Sequence, residues 1–280
     1  MMVTAMVTFG TLALFVRKIS VSSGELALYR AVMATLMLGA YFLISGQRID
    51  FRAIRKELPL LLISGMAMGI NWILLFEAYR YTTVSVATLS YYFAPVIVTL
   101  ACPILFKEKM GVKQWICFAM STLGIVLITG IGDLSGGDTH LIGILFGFGA
   151  AVLYASVILL NKFIKGVAGI QRTFLQFVAA VVILLPYVLC TGGFHLTTMD
   201  GIGWVNLLIV GIVHTGITYC LYFSSLKDIP GQEAAILSYI DPLVAVAVSV
   251  FLLGEQMTAQ QLIGGTLILG FTLWNEIKTQ

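Results

Sequence analysis

Charged positions are few along this chain and fall between long apolar stretches, and that spacing predicts its elements. Charge-free runs cover Met1 to Val16, Ala31 to Gln47, Leu58 to Phe76, Tyr81 to Phe106, Gln114 to Gly132, Thr139 to Asn161, Thr173 to Met199, Gly201 to Leu226 and Gln256 to Asn275. A tenth stretch, Ala234 to Gly254, is long enough to cross a bilayer but is interrupted by one carboxylate, Asp241. A helix that spans the hydrocarbon core takes about 20 mostly apolar residues. The pattern therefore predicts an all-α polytopic membrane protein with ten transmembrane helices. The first run lacks a basic leader and is followed by Arg17-Lys18 rather than a small-residue cleavage site, so it reads as a short first helix.

Composition narrows the class further. With 59% hydrophobic and 10% charged residues among 280, the chain carries far more apolar surface than a soluble core can bury. The net charge of +3 is too small to imply nucleic acid as a partner. Its distribution is the informative part. With the N-terminus cytoplasmic, Arg48, Arg52, Arg55, Lys56, Lys107, Lys109, Lys113, Lys162, Lys165, Arg172, Lys227 and Lys278 lie inside, and Arg17, Lys18, Arg30 and Arg80 outside. Loops rich in Lys and Arg stay in the cytoplasm. Both termini are thus expected there, in a prokaryotic-type plasma (inner) membrane, and no Lys or Arg falls in the outer loops around Asp133 to His140 and His195 to Asp200. The four cysteines, Cys102, Cys117, Cys190 and Cys220, show no metal or disulfide spacing.

The chain also repeats itself. A shift of 147 residues aligns Gly69 to Thr122 with Gly216 to Leu269 without a gap, pairing Tyr92 with Tyr239, Pro95 with Pro242, Glu108 with Glu255 and Gln114 with Gln261. The reading is two five-helix repeats, residues 1–132 (helices 1 to 5) and 133–280 (helices 6 to 10). Five spans is an odd number, so the second repeat enters the membrane in the opposite direction. Inverted repeats are common among secondary transporters, whose solute site lies near the midplane between the halves, often beside broken helices.

Pro95 and Pro242 are expected near the middle of helices 4 and 9, where each removes a backbone hydrogen bond. The carbonyls released belong to Tyr91 and Ser238, and each should face protein or a water-filled cavity. These prolines are the expected structural hinges. Gly65-x-x-x-Gly69 and Gly143-x-x-x-Gly147 are assigned to close helix packing.

The segment Leu75-Phe76-Glu77-Ala78-Tyr79-Arg80-Tyr81-Thr82, followed by Pro95 and, thirteen residues later, Glu108, resembles the drug/metabolite transporter superfamily, specifically its EamA-type members. Pro242 and Glu255 repeat the spacing, and Arg30 in Leu28-Tyr29-Arg30-Ala31 is similar to an arginine such proteins carry early in helix 2. The resemblance implies a ten-helix carrier that works by alternating access, from a group whose members move amino acids, metabolites, nucleotide sugars or toxic cations.

Positions alike in both halves read as scaffold, and polar groups found in one half read as function. By that filter Glu108 and Glu255 are structural. Asp241 has Ala94 as its repeat partner and falls near the centre of helix 9, where an acid costs about 2.5 to 3.5 kcal/mol and is a functional candidate by default. His214 has Ala67 as its partner and lies near the centre of helix 8. An acid and a histidine at one depth can share a proton, which makes Asp241 and His214 the candidate coupling pair, with a neutral, backbone-bonded histidine as the alternative. Glu77 and Arg30, expected at the outer ends of helices 3 and 2, form a candidate ion pair. Trp72, Tyr91, Tyr92, Tyr219 and Tyr239, with Ser238, gather on the proline-bearing helices and their neighbours. They are the candidate solute-binding set, suited to an aromatic solute or an ammonium group, with plain packing as the alternative.

No phosphate loop, zinc helix or nucleophile elbow occurs, so no cofactor or metal is expected. The expected function is secondary active transport of a small amino-acid-like or cationic metabolite, with a small-molecule solute and the lipid bilayer as partners and proton coupling through Asp241. The alternatives are an intramembrane enzyme using Asp241 and His214, or a passive channel.

Overall fold

The computed structural model describes residues 1–47, 49–52, 54–106, 111–129, 137–167, 169–225 and 237–277. Among these, all regular structure is helical. Glu108, Arg48, Lys107, Lys109, Lys227 and Lys278 lie outside the described residues, as do residues 133–136 of the loop expected around Asp133.

The helices in chain order are α1 (Met2–Gly10), α2 (Leu12–Val16), α3 (Ser23–Ser45), α4 (Leu58–Tyr81), α5 (Val84–Tyr91), α6 (Ala94–Phe106), α7 (Val112–Thr129), α8 (Gly137–Phe163) and α9 (Gly169–Cys190). Next come α10 (Gly201–Leu208), a π-helical segment (Ile209–Ile217), α11 (Thr218–Ser225), α12 (Ile240–Phe251) and α13 (Ala259–Glu276). Among the described residues, six stretches are long and apolar enough to cross a membrane: Ser23–Ser45, Leu58–Tyr81, Val84–Ala101, Thr139–Phe163, Gly169–Cys190 and Gly201–Tyr222. Met2–Val16, Val112–Ile128 and Ile240–Phe251 are shorter apolar helices.

Helix starts follow local chemistry more than the charge-free runs. The hydroxyl of Ser22 accepts from the Glu25 amide at 3.2 Å, and the Glu25 carboxylate accepts in return from the Ser22 amide at 3.2 Å. This capping box satisfies two orphan donors of the first turn, so α3 begins at Ser23, well before the run expected from Ala31. Arg30 is consequently the eighth residue of α3, about 10 Å below its start at 1.5 Å per residue, and only 3% exposed.

The prolines also sit differently from expectation. The fourth span is broken at Tyr92 and Phe93, and Pro95 is the second residue of α6. Pro242 is the third residue of α12. A proline in the first turn gives up an amide that has no intrahelical partner. Both therefore mark helix starts and do not kink a continuous helix.

Packing is close where glycine allows it. Helix α4 lies against α8 and α9, α3 against α9 and the π segment, α1 against α11 and α12, α5 against α8 and α12, α6 against α8, and α7 against α13. A Cβ added at Gly65 would strike the Gln176 carbonyl oxygen of α9, and one at Gly143 would come within 2.7 Å of the Thr82 side chain. The packing role expected of these glycines follows from that geometry. At Gly10, an added Cβ would lie 2.6 Å from the Asp241 carbonyl oxygen, so only glycine lets α1 meet the start of α12.

Candidate functional site

The break between α5 and α6, the start of α12 and the middle of α3 and α4 surround one cavity of about 390 Å³. Trp72, Tyr91, Tyr92, Tyr219, Tyr239 and Ser238 all border it, as do Asp241, Arg30 and Pro95. Three groups that sequence reasoning passed over as solute contacts, Asn71, Tyr154 and Tyr222, border it too. Asn71 is 1% exposed and donates to the Ala150 carbonyl at 2.6 Å, which ties α4 to α8 behind the cavity wall. An asparagine inside an apolar run was the available signal for it.

The walls are aromatic. Tyr91 meets Tyr154 with ring centroids 5.2 Å apart and Tyr92 at 5.6 Å, Phe9 meets Tyr219 at 5.2 Å, and Trp72 packs on Phe177 at 5.7 Å. Such offset and edge contacts hold rings firmly in place. Aromatic packing therefore shapes the cavity walls.

Two charged side chains of opposite sign border the same space. The Tyr92 hydroxyl donates to Asp241 Oδ2 at 2.5 Å, joining the break in the fourth span to the start of α12. Arg30 Nε donates to Thr215 Oγ1 at 2.7 Å, and its guanidinium carbon lies 4.6 Å from the Trp72 ring centroid.

Three of the expected residues are placed elsewhere. His214 does not hydrogen-bond to Asp241: its Nε2 lies 3.1 Å from Thr11 Oγ1 and its ring packs on Phe15. The expected direct proton sharing between them is therefore not formed. Glu77 pairs with Arg80 at 3.1 Å on the same helix. The expected pair between Glu77 and Arg30 is not formed either, because the early start of α3 places Arg30 inside the bundle. Pro242, the second expected hinge, is buried at the base of α12, beside Asp241 but outside the described cavity lining.

His214 and Thr215 lie in the π segment, which no sequence signal announced. There the hydroxyls of Thr215 and Thr218 donate to carbonyls five residues earlier, at 2.9 and 2.7 Å, and satisfy acceptors that the wider turn leaves exposed. Long π segments are rare and concentrate at functional sites.

A polar cluster outside the cavity lining ties several helix ends together. Arg17, just after α2, lies 2.5 Å from Glu255 and donates to the carbonyl of Thr82 at 3.3 Å. Glu255 also accepts from the Val84 amide at the start of α5, at 2.8 Å, and from the Ser249 hydroxyl. Ser85 donates to Ser249 at 2.6 Å. The ends of α2, α4, α5 and α12 thus meet on one carboxylate. Glu255 holds several elements, in keeping with the structural role expected of it.

Apolar helices long enough to cross a bilayer, gathered around an aromatic cavity that holds one acid and one base, make up a multi-pass membrane transporter. The chain belongs to the EamA-like transporter family, whose sequence profile matches residues 1–130 and again 141–275. A transporter of Bacillus subtilis (strain 168), YxxF, is 33% identical over 269 residues, covering 95% of this chain and 85% of its own. The protein named "Probable amino-acid metabolite efflux pump" in Salmonella typhimurium is 26% identical and covers 84% of this chain and 82% of its own. A solved crystal structure with 18% identity matches 96% of this chain and 93% of its own with a TM-score of 0.66, a likeness of fold.

Proposed function

We propose that the chain is a secondary active transporter that moves a small amino-acid-like or cationic metabolite across a prokaryotic plasma membrane by alternating access, with proton coupling at Asp241. In this reading the helices make ten spans: α1–α2, α3, α4, α5–α6, α7, α8, α9, α10 through α11, α12 and α13. The first five and the last five form two inverted repeats, at residues 1–132 and 133–280.

One observation carries the reading, namely that the contacts between spans obey a shift of five. The third span packs on the sixth and seventh, and the eighth packs on the first and second. The fourth packs on the sixth, and the ninth on the first. The second with the seventh, the fourth with the ninth and the fifth with the tenth map onto themselves. Exchanging the halves maps each of these pairings onto another of them, which supports a pseudo-two-fold axis in the membrane plane, while the contacts of α5 with α4, α7 and α13 and of α6 with α7 have no such counterpart among the described residues. The cavity lies between the halves, where rocking of one against the other opens it to each side in turn.

Further support comes from the double family match, from the name of the Salmonella typhimurium relative, and from a Lys and Arg bias that favours cytoplasmic termini. The test is flux in reconstituted vesicles with a panel of amino acids and amines. Saturable uptake that accelerates when the same unlabelled solute is loaded inside is the expected result. Linear, unsaturable flux would indicate a channel, and conversion of solute to product an enzyme.

A further inference from the structure

We infer that Arg30 is the anion anchor of the cavity and that the solute carried there bears a carboxylate. The inference rests on the transporter reading above and narrows it, since a plain cation would have no use for this group.

Arg30 is held on two sides. Its Nε–H is taken by Thr215, and Thr215 is itself fixed by its bond to the Val210 carbonyl at 2.9 Å within the π segment. One face of the guanidinium lies over Trp72 at 4.6 Å, with Phe76 at 5.9 Å. An arginine has five N–H donors. Among the described residues the other four make no hydrogen bond, and no carboxylate comes within 4.0 Å of them.

A charge 3% exposed, in a span of a membrane protein, does not persist without something to answer it. The described space that Arg30 borders is the cavity. A planar fork whose Nε edge is pinned and whose face is stacked presents its remaining edge in a fixed orientation, which is the geometry for bidentate capture of a planar anion. Asp241 borders the same cavity but does not fill that role, because none of its oxygens comes within 4.0 Å of an Arg30 nitrogen.

Charge selects carboxylate over phosphate. One carboxylate neutralises one guanidinium, whereas a phosphate group brings about two negative charges into a cavity that already holds Asp241. An ammonium group on the same solute would find Asp241 and the tyrosine faces, so a zwitterion fits both poles.

The test uses purified protein with Trp115, Trp204 and Trp274 replaced by Phe, which leaves Trp72, against the guanidinium, as the fluorescent reporter. The probes are matched sets: phenylalanine, phenethylamine and 3-phenylpropionate; leucine, isopentylamine and 4-methylpentanoate. In the otherwise unaltered protein, members with a carboxylate should bind at least about tenfold more tightly than the amine that lacks it. Arg30→Gln should erase that preference, and Arg30→Lys should retain part of it.

An amine that binds as well as its amino acid overturns the inference, as does a preference that survives Arg30→Gln, or a panel in which no carboxylate binds. Should Arg30→Gln fail to fold, discrimination within the matched sets at an intact Arg30 decides alone. Vesicle flux with the same probes separates the two ideas. Flux without carboxylate preference sinks the anchor and keeps the transporter, while carboxylate-selective binding without flux does the reverse.

Discussion

Asp241 occupies the second position of α12, bordered by the cavity on one side and by the backbone of α1 at Gly10 on the other. A first-turn acid faces the positive end of its helix, and its bond to Tyr92 crosses from the ninth span to the break in the fourth. A proton that binds here and leaves on the other side would couple solute movement to the membrane potential, at about 2.3 kcal/mol per 100 mV. Asn at this position keeps an oxygen to accept from Tyr92, so the fold should survive. Asp241→Asn is therefore expected to preserve solute exchange in vesicles while abolishing uptake driven by a pH gradient. Normal pH-driven uptake in the variant would remove Asp241 from the coupling role. The acid was legible in the sequence because it interrupts an apolar run. The fate of His214 was not, because the bond it makes to Thr11 joins positions 203 residues apart.

At the scale of elements, the breaks matter more than the helices. Pro95 and Pro242 were legible as discontinuities, but sequence alone places a proline in a run and does not say that the chain unwinds before it. The run expected from Ala31 was bounded by Arg30 itself, whereas the capping box of Ser22 and Glu25 starts the helix eight residues earlier and so places Arg30 inside the bundle. The cluster on Glu255 joins four helix ends, and its ion pair with Arg17 is partly open to solvent, with 33% of the Arg17 side chain exposed. Glu255→Gln should loosen this end of the bundle. A thiol placed at Leu75, which borders the cavity, is then expected to react several-fold faster with a membrane-impermeant maleimide than in the parent protein. An unchanged labelling rate would mean that the cluster does not restrict access to the cavity.

For the molecule as a whole, the all-helical membrane class was readable from charge spacing, while the proposed ten spans and two repeats rest on that spacing and on a few costly identities such as Tyr92 with Tyr239 and Pro95 with Pro242. The cavity was readable only as a tendency of aromatics to gather near those prolines, since which rings share a space depends on how the halves pack. The π segment was invisible, because its residues make as good an α-helix on paper. The central claim is that one cavity between two halves opens to each side of the membrane in turn. The measurement that tests it most directly is the reactivity of single cysteines at Tyr91 and Ser238 toward impermeant reagents applied to each side of oriented vesicles. Both positions should be reachable from either side, and a saturating transported solute should shift the two rates in opposite directions. Rates that are identical with and without solute, or labelling confined to one side under every condition, would contradict it.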